Sequence, residues 1–262
     1  MRKRAAFAVL TAVTAVAGFA APGAYADDNV GDIQVDSVVV NAGKNIVVDT
    51  ADKTVTVSVT ATDPSGIWDA DFNLWRGPDG TDPYYSADGL IDPDENTTPA
   101  DCVASSGTTS TCSKTFTFEP DWWLTNADAG TWKVQVQVSA NDGSYTDRWA
   151  YTTTRLQRHS KLTVNAGPEP IAKGKTLTVT GKLTRANWDT LDHRGYANQP
   201  AKLQFRKAGT TTYTTVKTVY TSSTGTLTTT APASEDGYWR WNFAGTSTTP
   251  AVNATGDFVD VQ

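Results

Sequence analysis

The sequence predicts an all-β fold with two β-sandwich domains in tandem. No stretch of the chain shows a long apolar pattern with the 3.6-residue period of a helix. Instead, residues 53–59 and 175–180 carry an apolar residue at every second position, which is typical of a strand with one buried and one solvated face. Two short patterns occur once in each half of the chain, which indicates that one architecture is repeated.

The two repeated patterns mark equivalent places in the two halves. Val-Asn-Ala-Gly at 40–43 recurs at 164–167, and an alternating strand follows each copy. The pattern acid-x-Gly-x-Trp occupies 128–132 and again 235–239. It resembles the corner before strand F of Greek-key sandwiches, where an aromatic side chain fixes the connection. The chain is therefore predicted to form two immunoglobulin-like Greek-key β-sandwiches.

Five of the nine tryptophans are expected in the cores of these sandwiches. Trp132, Trp239 and Trp241 continue the alternation of apolar residues in their strands. Trp68 and Trp75 fall in the predicted strand C, where a buried Trp is typical of this fold.

Residues 1–26 have the features of a cleaved signal peptide. A basic start at residues 2–4 precedes an apolar run at 5–21, and Ala24-Tyr25-Ala26 supplies the small-x-small cleavage pattern. We therefore expect a secreted, extracellular protein that begins at Asp27. No later segment approaches the ~20 apolar residues that a spanning helix needs.

The rest of the chain divides into predicted domains at 27–155 and 161–262, joined by a short polar linker at 156–160. Residues 77–112 are rich in Pro, Gly, Ser and Asp and are predicted to be an acidic insertion in the first domain. Residues 27–155 carry 21 acidic and 7 basic side chains, net −14, whereas residues 156–262 carry 7 and 12, net +5. The acidic balance and the scattered bases disfavour a nucleic-acid partner.

Cys102 and Cys112 are the only cysteines. An even count in an exported chain indicates a disulfide, here one that closes a short loop at the end of the insertion. Two thiols without a nearby His do not make a zinc site.

Several stretches of the second half resemble an immunoglobulin-like module of secreted proteins from high-GC Gram-positive bacteria. These stretches are residues 174–183, 201–206, 236–241 and 243–246. The first half is similar, through residues 61–67, to β-sandwich domains of the same kind of exported protein. The resemblance implies a fold, and roles such as spacer, adhesive unit or accessory domain, but it implies no reaction.

The acidic insertion is a candidate calcium site. Seven acids and no base lie between Asp79 and Asp101, and hard oxygen ligands suit Ca²⁺. Residues 92–96 open like an EF-hand loop, but Thr97 and Val103 replace its Gly and final Glu, so we expect a different geometry. The candidate ligands are Asp88, Asp92, Asp94 and Glu95. The alternative interpretation is a solvated acidic loop.

Aromatic residues outside the predicted cores are a candidate platform for carbohydrate. They are Trp122, Trp123, Tyr84 and Tyr85. If Trp122 and Trp123 lie on a strand, their side chains point to opposite faces, and at least one is exposed. The alternative for these residues is packing in a core or corner.

No catalytic motif is recognisable in the chain. The only two histidines, His159 and His193, are predicted to be surface or loop residues, and no nucleophile elbow or phosphate-binding Gly loop occurs. The sequence therefore predicts a non-catalytic extracellular binding or structural accessory protein with an unidentified partner, such as a cell-wall component or a polysaccharide. The alternative is a carbohydrate-binding protein that uses exposed aromatics.

Overall fold

A computed structural model describes residues 27–78, 89–91 and 98–262. Within these ranges the chain forms twenty β-strands and two single 3₁₀ turns, at Asn41–Gly43 and Asn126–Asp128, and no α-helix. The predicted all-β fold with two β-sandwiches in tandem is confirmed.

The first ten strands build what we call the first domain. Their bounds are β1 Asp28–Val30, β2 Gln34–Val40, β3 Ile46–Val48, β4 Lys53–Thr62, β5 Ile67–Arg76, β6 Gly89–Ile91, β7 Asp101–Ala104, β8 Thr109–Phe118, β9 Gly130–Ala140 and β10 Tyr145–Arg158. One sheet has the order β2-β4-β8-β7, and the other has the order β1-β10-β9-β5-β6 with β3 parallel to β10. Alternate residues of both sheets, such as Val57, Phe116 and Val136, are fully buried between them.

A Trp corner joins the two sheets of the first domain, as the acid-x-Gly-x-Trp pattern predicts. Trp132, at the start of β9, is 2% exposed, and its indole N–H donates to the carbonyl of Asp128 at 2.8 Å. The indole thus binds the backbone four residues upstream, in the way a corner Tyr hydroxyl binds it in related sandwiches.

The predicted insertion at 77–112 is wrong in its last part. Residues 101–104 and 109–112 belong to β7 and β8, and β8 pairs with β4 along its whole length. In β8, Ser110 and Cys112 face the core while Thr109 and Thr111 face outward. Because all four side chains are short and similar in polarity, the sequence shows no apolar alternation that predicts a strand there.

The remaining ten strands build the second domain. Their bounds are β11 Ser160–Leu162, β12 Asn165–Gly167, β13 Thr176–Asn187, β14 Asp192–Gly195, β15 Pro200–Lys207, β16 Thr214–Tyr220, β17 Thr226–Pro232, β18 Gly237–Phe243, β19 Val252–Asn253 and β20 Asp257–Val259. One sheet is centred on β13, and the other has the order β16-β15-β18, with β19 and β20 beside β18. Trp239 and Trp241 are 4% and 0% exposed between the sheets, which confirms their predicted place in the core.

The predicted polar linker at 156–160 is also wrong. Residues 156–158 complete β10, and β11 begins at Ser160, so continuous strands run through the junction. The side chain of Leu156 is 1% exposed and Arg158 is 7% exposed. The charged and polar residues of this segment predicted a solvated linker. Arg158 is buried instead because its guanidinium Nε donates to the carbonyl of Ala186 at 2.6 Å.

A hairpin of the second domain reaches into the first domain. Trp188, at the β13–β14 turn, is 2% exposed and belongs to the hydrophobic core of the first domain together with Ala186. The Trp188 indole N–H donates to the carbonyl of Asp49 at 2.9 Å, and its backbone N–H donates to the Asn126 side chain at 3.0 Å. The two domains are therefore joined by shared apolar packing and by hydrogen bonds.

Candidate functional site

The predicted calcium ligands Asp88, Asp92, Asp94 and Glu95 lie outside the described residues, as do Tyr84 and Tyr85 of the predicted platform. The disulfide prediction is confirmed. Cys102 on β7 and Cys112 on β8 are directly paired across the two strands, with their sulfurs 2.03 Å apart.

Three carboxylates meet at the end of the first domain that lies away from the second. Asp32 lies in the β1–β2 turn, Asp63 in the β4–β5 turn and Asp142 in the β9–β10 turn. One carboxylate oxygen of each lies within 4.8 Å of the other two. We call these three residues the outer cluster. Its members are 31 and 79 residues apart and none belongs to an acidic run, so no local pattern predicts the cluster.

Asp63 is the buried member of the outer cluster. Its side chain is 0% exposed, and its Oδ1 accepts hydrogen bonds from the Ser65 N–H at 2.7 Å and the Ser65 hydroxyl at 2.6 Å. Its Oδ2 is buried without a hydrogen-bond partner, and no base among the described residues forms an ion pair with it. A buried carboxylate oxygen without a partner is unfavourable by roughly 1–3 kcal/mol or more.

Hydrogen bonds between the turns hold the outer cluster together. Asp142 Oδ1 accepts the Ser144 N–H at 2.9 Å, and the Asp142 N–H donates to the Ser65 hydroxyl at 3.2 Å. The hydrogen bonds from Ser144 keep the pKa of Asp142 below its ordinary value. Gly31, with φ of +93°, lies so close to Ser144 that a side chain there would clash. These contacts fix Asp32 and Asp142 beside Asp63.

A second group of ligating side chains lies at the junction of the two domains. His193 Nε2 is 2.6 Å from Asp49 Oδ1, and His159 Nδ1 is 3.2 Å from Asp49 Oδ2. We call Asp49, His159 and His193 the junction cluster. The only two histidines of the chain, which the sequence predicts to be surface or loop residues, therefore share one carboxylate.

The junction cluster carries its own compensating charge. Partial burial raises the pKa of Asp49, but the His193 hydrogen bond and the nearby His159 and Lys161 outweigh this effect, so the pKa lies below its ordinary value. The Lys161 ammonium is 3.8 Å from Asp49 Oδ2 and is 55% exposed. Asp49, with 39% of its side chain exposed, also remains open to solvent.

The predicted aromatic platform is split by the structure. Trp122 is 81% exposed in the β8–β9 connection, whereas Trp123 packs on the first core, 5.9 Å from the Phe118 ring. The expectation that at least one of the pair is exposed is confirmed, although both lie on a connection rather than on a strand.

The expectation that both strand-C tryptophans are core residues is wrong for Trp68. Trp68 is 54% exposed because a bulge in β5, between Ile67 and Asp69, turns its side chain outward. Trp75 is buried, but it lies outside the core cluster, where its indole N–H donates to the Trp149 carbonyl at 2.6 Å.

Comparisons with solved structures give only low similarity. The D00-D0 domain of intimin matches at 12% identity and a TM-score of 0.27, over 85% of this chain and 99% of that one. Adhesin InvE of Yersinia pseudotuberculosis matches at 15% identity and a TM-score of 0.27, over 85% of this chain and 58% of that one. Dimeric latent PorU of Porphyromonas gingivalis matches at 11% identity and a TM-score of 0.28, over 87% of this chain and 20% of that one. The chain thus spans only a fifth of PorU.

No family model and no curated protein matches this chain. The resemblance to exported modules of high-GC Gram-positive bacteria therefore stays a prediction. Within the described residues, no helix is long and apolar enough to cross a membrane.

Proposed function

We propose that this protein is an exported, non-catalytic binding or structural accessory module, and that Ca²⁺ bound at the outer cluster stabilises its first domain. The observation that carries the calcium proposal is the fully buried Asp63, whose Oδ2 has no hydrogen-bond partner in the part of the chain that the structure describes, while Asp32 and Asp142 lie beside it. A cation there would supply the charge that the surrounding side chains do not.

The chemistry of the outer cluster favours Ca²⁺ among common extracellular ions. All three side chains offer oxygen, and Ca²⁺ accepts six to eight oxygen ligands in irregular arrangements completed by carbonyls and water. Mg²⁺ requires a nearly regular octahedron and gives up its water reluctantly. Two of the three acids are exposed, so an ion reaches Asp63 from solvent.

The junction between the domains supports a structural accessory role. Trp188 of the second domain fills a place in the core of the first, and Gln157 Nε2 of β10 donates to the carbonyl of Thr246 at 2.9 Å. A protein built in this way presents its end loops at a fixed spacing, as a spacer or adhesive unit requires. The signal-peptide pattern and the disulfide support an extracellular setting.

Isothermal titration with Ca²⁺ tests the calcium proposal. We expect the wild-type chain to bind an ion that Asp142→Asn binds at least about tenfold more weakly, because one charged ligand is lost. Asp92→Asn combined with Asp94→Asn is the matched control, since it removes two charges from the acidic segment. If this control loses binding while Asp142→Asn retains it, the calcium site lies in the acidic segment and the outer-cluster proposal is wrong.

Binding of a polysaccharide is the second candidate function, favoured by the exposure of Trp68 and Trp122. Trp68 lines a groove of about 310 Å³ together with Gln137, Ser139 and Tyr145, next to the outer cluster. An exposed indole beside amide and hydroxyl groups suits stacking on a sugar ring and hydrogen bonding to its hydroxyls.

Pull-down on insoluble cell-wall and plant polysaccharides tests this second candidate. We expect Trp68→Ala to abolish retention and Trp122→Ala to leave it unchanged if the groove is the binding surface. Equal retention of wild type and both variants would exclude these two aromatics as the platform.

A further inference from the structure

We propose that Asp49, His159 and His193 bind Zn²⁺ at the junction between the two domains. This proposal is independent of calcium at the outer cluster, since the two sites share no residue. It also assigns a role to the only two histidines of the chain, which the proposed function does not use.

Adjacent backbone segments hold the three ligands in place. The His159 N–H donates to the carbonyl of Val48, next to Asp49, at 2.9 Å, and the carbonyl of His159 accepts the Ala186 N–H at 2.8 Å. Ala186 is paired with His193 across β13 and β14. The three residues therefore lie on adjacent backbone segments that hydrogen bonds join directly.

The distances suit a small cation. One donor atom from each side chain lies within 4.8 Å of the other two, and the His159 Nδ1–Asp49 Oδ2 distance is 3.2 Å. Ligand atoms of a tetrahedral zinc ion are about 3.3 Å apart, because Zn–N and Zn–O bonds are about 2.0–2.2 Å long.

The donor set selects zinc over calcium. Two imidazoles and one carboxylate are common zinc ligands, whereas Ca²⁺ prefers oxygen alone. His159 Nδ1 faces Asp49 Oδ2 at 3.2 Å and has no aligned hydrogen bond within the described part of the chain, so its lone pair is available to a metal. His159 and Asp49 are each 39% exposed, which leaves room for water as the fourth ligand.

Two features oppose cation binding and set its limits. The Lys161 ammonium lies 3.8 Å from Asp49 Oδ2, but it is 55% exposed and can turn into solvent. The hydrogen bond between His193 and Asp49 must be replaced, so zinc displaces a proton from that contact and binds more weakly in acid. Asp192, next to His193 in β14, is paired with the Arg194 guanidinium at 2.7 Å and therefore adds little net charge to the site.

Zinc at this place would tie the two domains together. Asp49 follows β3 of the first domain, His159 lies between β10 and β11, and His193 lies in β14 of the second domain. An ion bound by all three stabilises the junction by favouring the folded, docked arrangement.

Zinc titration of the intact exported chain, followed by calorimetry and by thermal unfolding, tests the proposal. We expect about one zinc ion per chain, a higher unfolding temperature with zinc than with chelator, and at least about tenfold weaker binding in His193→Gln. His159→Gln provides a second variant, because its more exposed side chain makes loss of folding less of a concern.

Asp63→Asn is the matched control, since it alters the outer cluster and is expected to leave zinc affinity unchanged. The proposal is overturned if the wild type binds no more zinc than the double variant His159→Gln, His193→Gln. It is also overturned if the junction responds to pH but not to zinc, because the cluster is then an ion pair only.

Discussion

The outer cluster and the junction cluster each contain three ligating side chains, but the charge of the central carboxylate is compensated differently in the two. At the junction, Asp49 is accompanied by two imidazoles and an ammonium, and it keeps contact with water. At the outer end, Asp63 is fully buried beside two more acids, and no base among the described residues pairs with it. The first arrangement is satisfied by protons or by a nitrogen-binding metal, whereas the second requires a hard cation from outside the chain.

The two clusters also differ in the contacts that hold them in place. The junction cluster lies where two domains meet, and Trp188 and the strand ladder fix it without help from any ion. The outer cluster lies on three turns, two of which are joined by hydrogen bonds such as that from the Asn141 N–H to the Gly66 carbonyl at 3.0 Å. Because three acids meet there without a base among the described residues, we expect removal of the bound ion to destabilise the outer end more than the junction.

Trp188→Ala removes the main apolar contact of the junction and is expected to have the largest effect on stability. Removing a fully buried aromatic side chain costs about 3–5 kcal/mol in unfolding free energy. The variant leaves calcium binding at the outer cluster intact, because that cluster lies at the other end of the first domain. Urea unfolding of the variant beside Trp122→Ala, an 81% exposed control, measures the difference. Similar stabilities of these two variants would contradict the docking of Trp188 in the first core.

Replacing both Cys102 and Cys112 by Ser tests the outer cluster. We expect the free energy of unfolding to fall by about 2–3 kcal/mol, because the disulfide no longer closes a short loop in the unfolded chain. The hairpin that they close reaches the outer cluster, where the carbonyl of Thr108 accepts the Asp63 N–H at 2.9 Å. The double variant should therefore also bind calcium more weakly. Chemical unfolding with and without calcium checks both effects, and unchanged calcium affinity would show that the hairpin does not support the site.

Asp49→Asn is expected to have the smallest effect on the free energy of unfolding. The Asp49 carboxylate is partly exposed, so solvent screens its interactions with the two imidazoles and the ammonium. The folded-state pKa of Asp49 lies below its ordinary value, so its contribution to stability is present above about pH 4 and is lost as the pH falls through the lower folded value. The stability difference between wild type and variant should shrink over that interval. A difference that stays constant down to the acid transition would contradict the favourable ionised state of Asp49.

The sequence predicted the sandwiches well because alternation is a local signal. Trp132 and Trp241 were placed correctly in the cores from the spacing of apolar neighbours alone. Trp68 was misplaced because a single bulge in β5 reverses the face, and a bulge has no period. Strand β7 and the first part of β8 were assigned to the insertion because β7 has only four residues and because Ser, Thr and Cys alternate at the start of β8 without an apolar contrast.

Neither cluster could be predicted from the sequence, because the members of each are far apart along the chain. Asp49 and His193 are 144 residues apart, and only the docking of the β13–β14 hairpin brings them together. The sequence around Trp188 does not predict this docking. The apolar alternation of the first domain is the same whether or not a side chain from the second domain packs into its core. Asp63 lies in a turn of polar residues where burial was not expected.

The most direct test of the central claim is thermal unfolding of the wild type and of Asp63→Asn, each with excess calcium and with chelator. We predict that calcium raises the unfolding temperature of the wild type by several degrees, which corresponds to about 2.7 kcal/mol at a hundredfold excess over the dissociation constant, and does not stabilise the variant. In chelator the order should reverse, with Asp63→Asn at least as stable as the wild type, because the substitution removes a buried carboxylate oxygen that has no partner. A wild type that is indifferent to calcium and more stable than Asp63→Asn in chelator would contradict the proposed site.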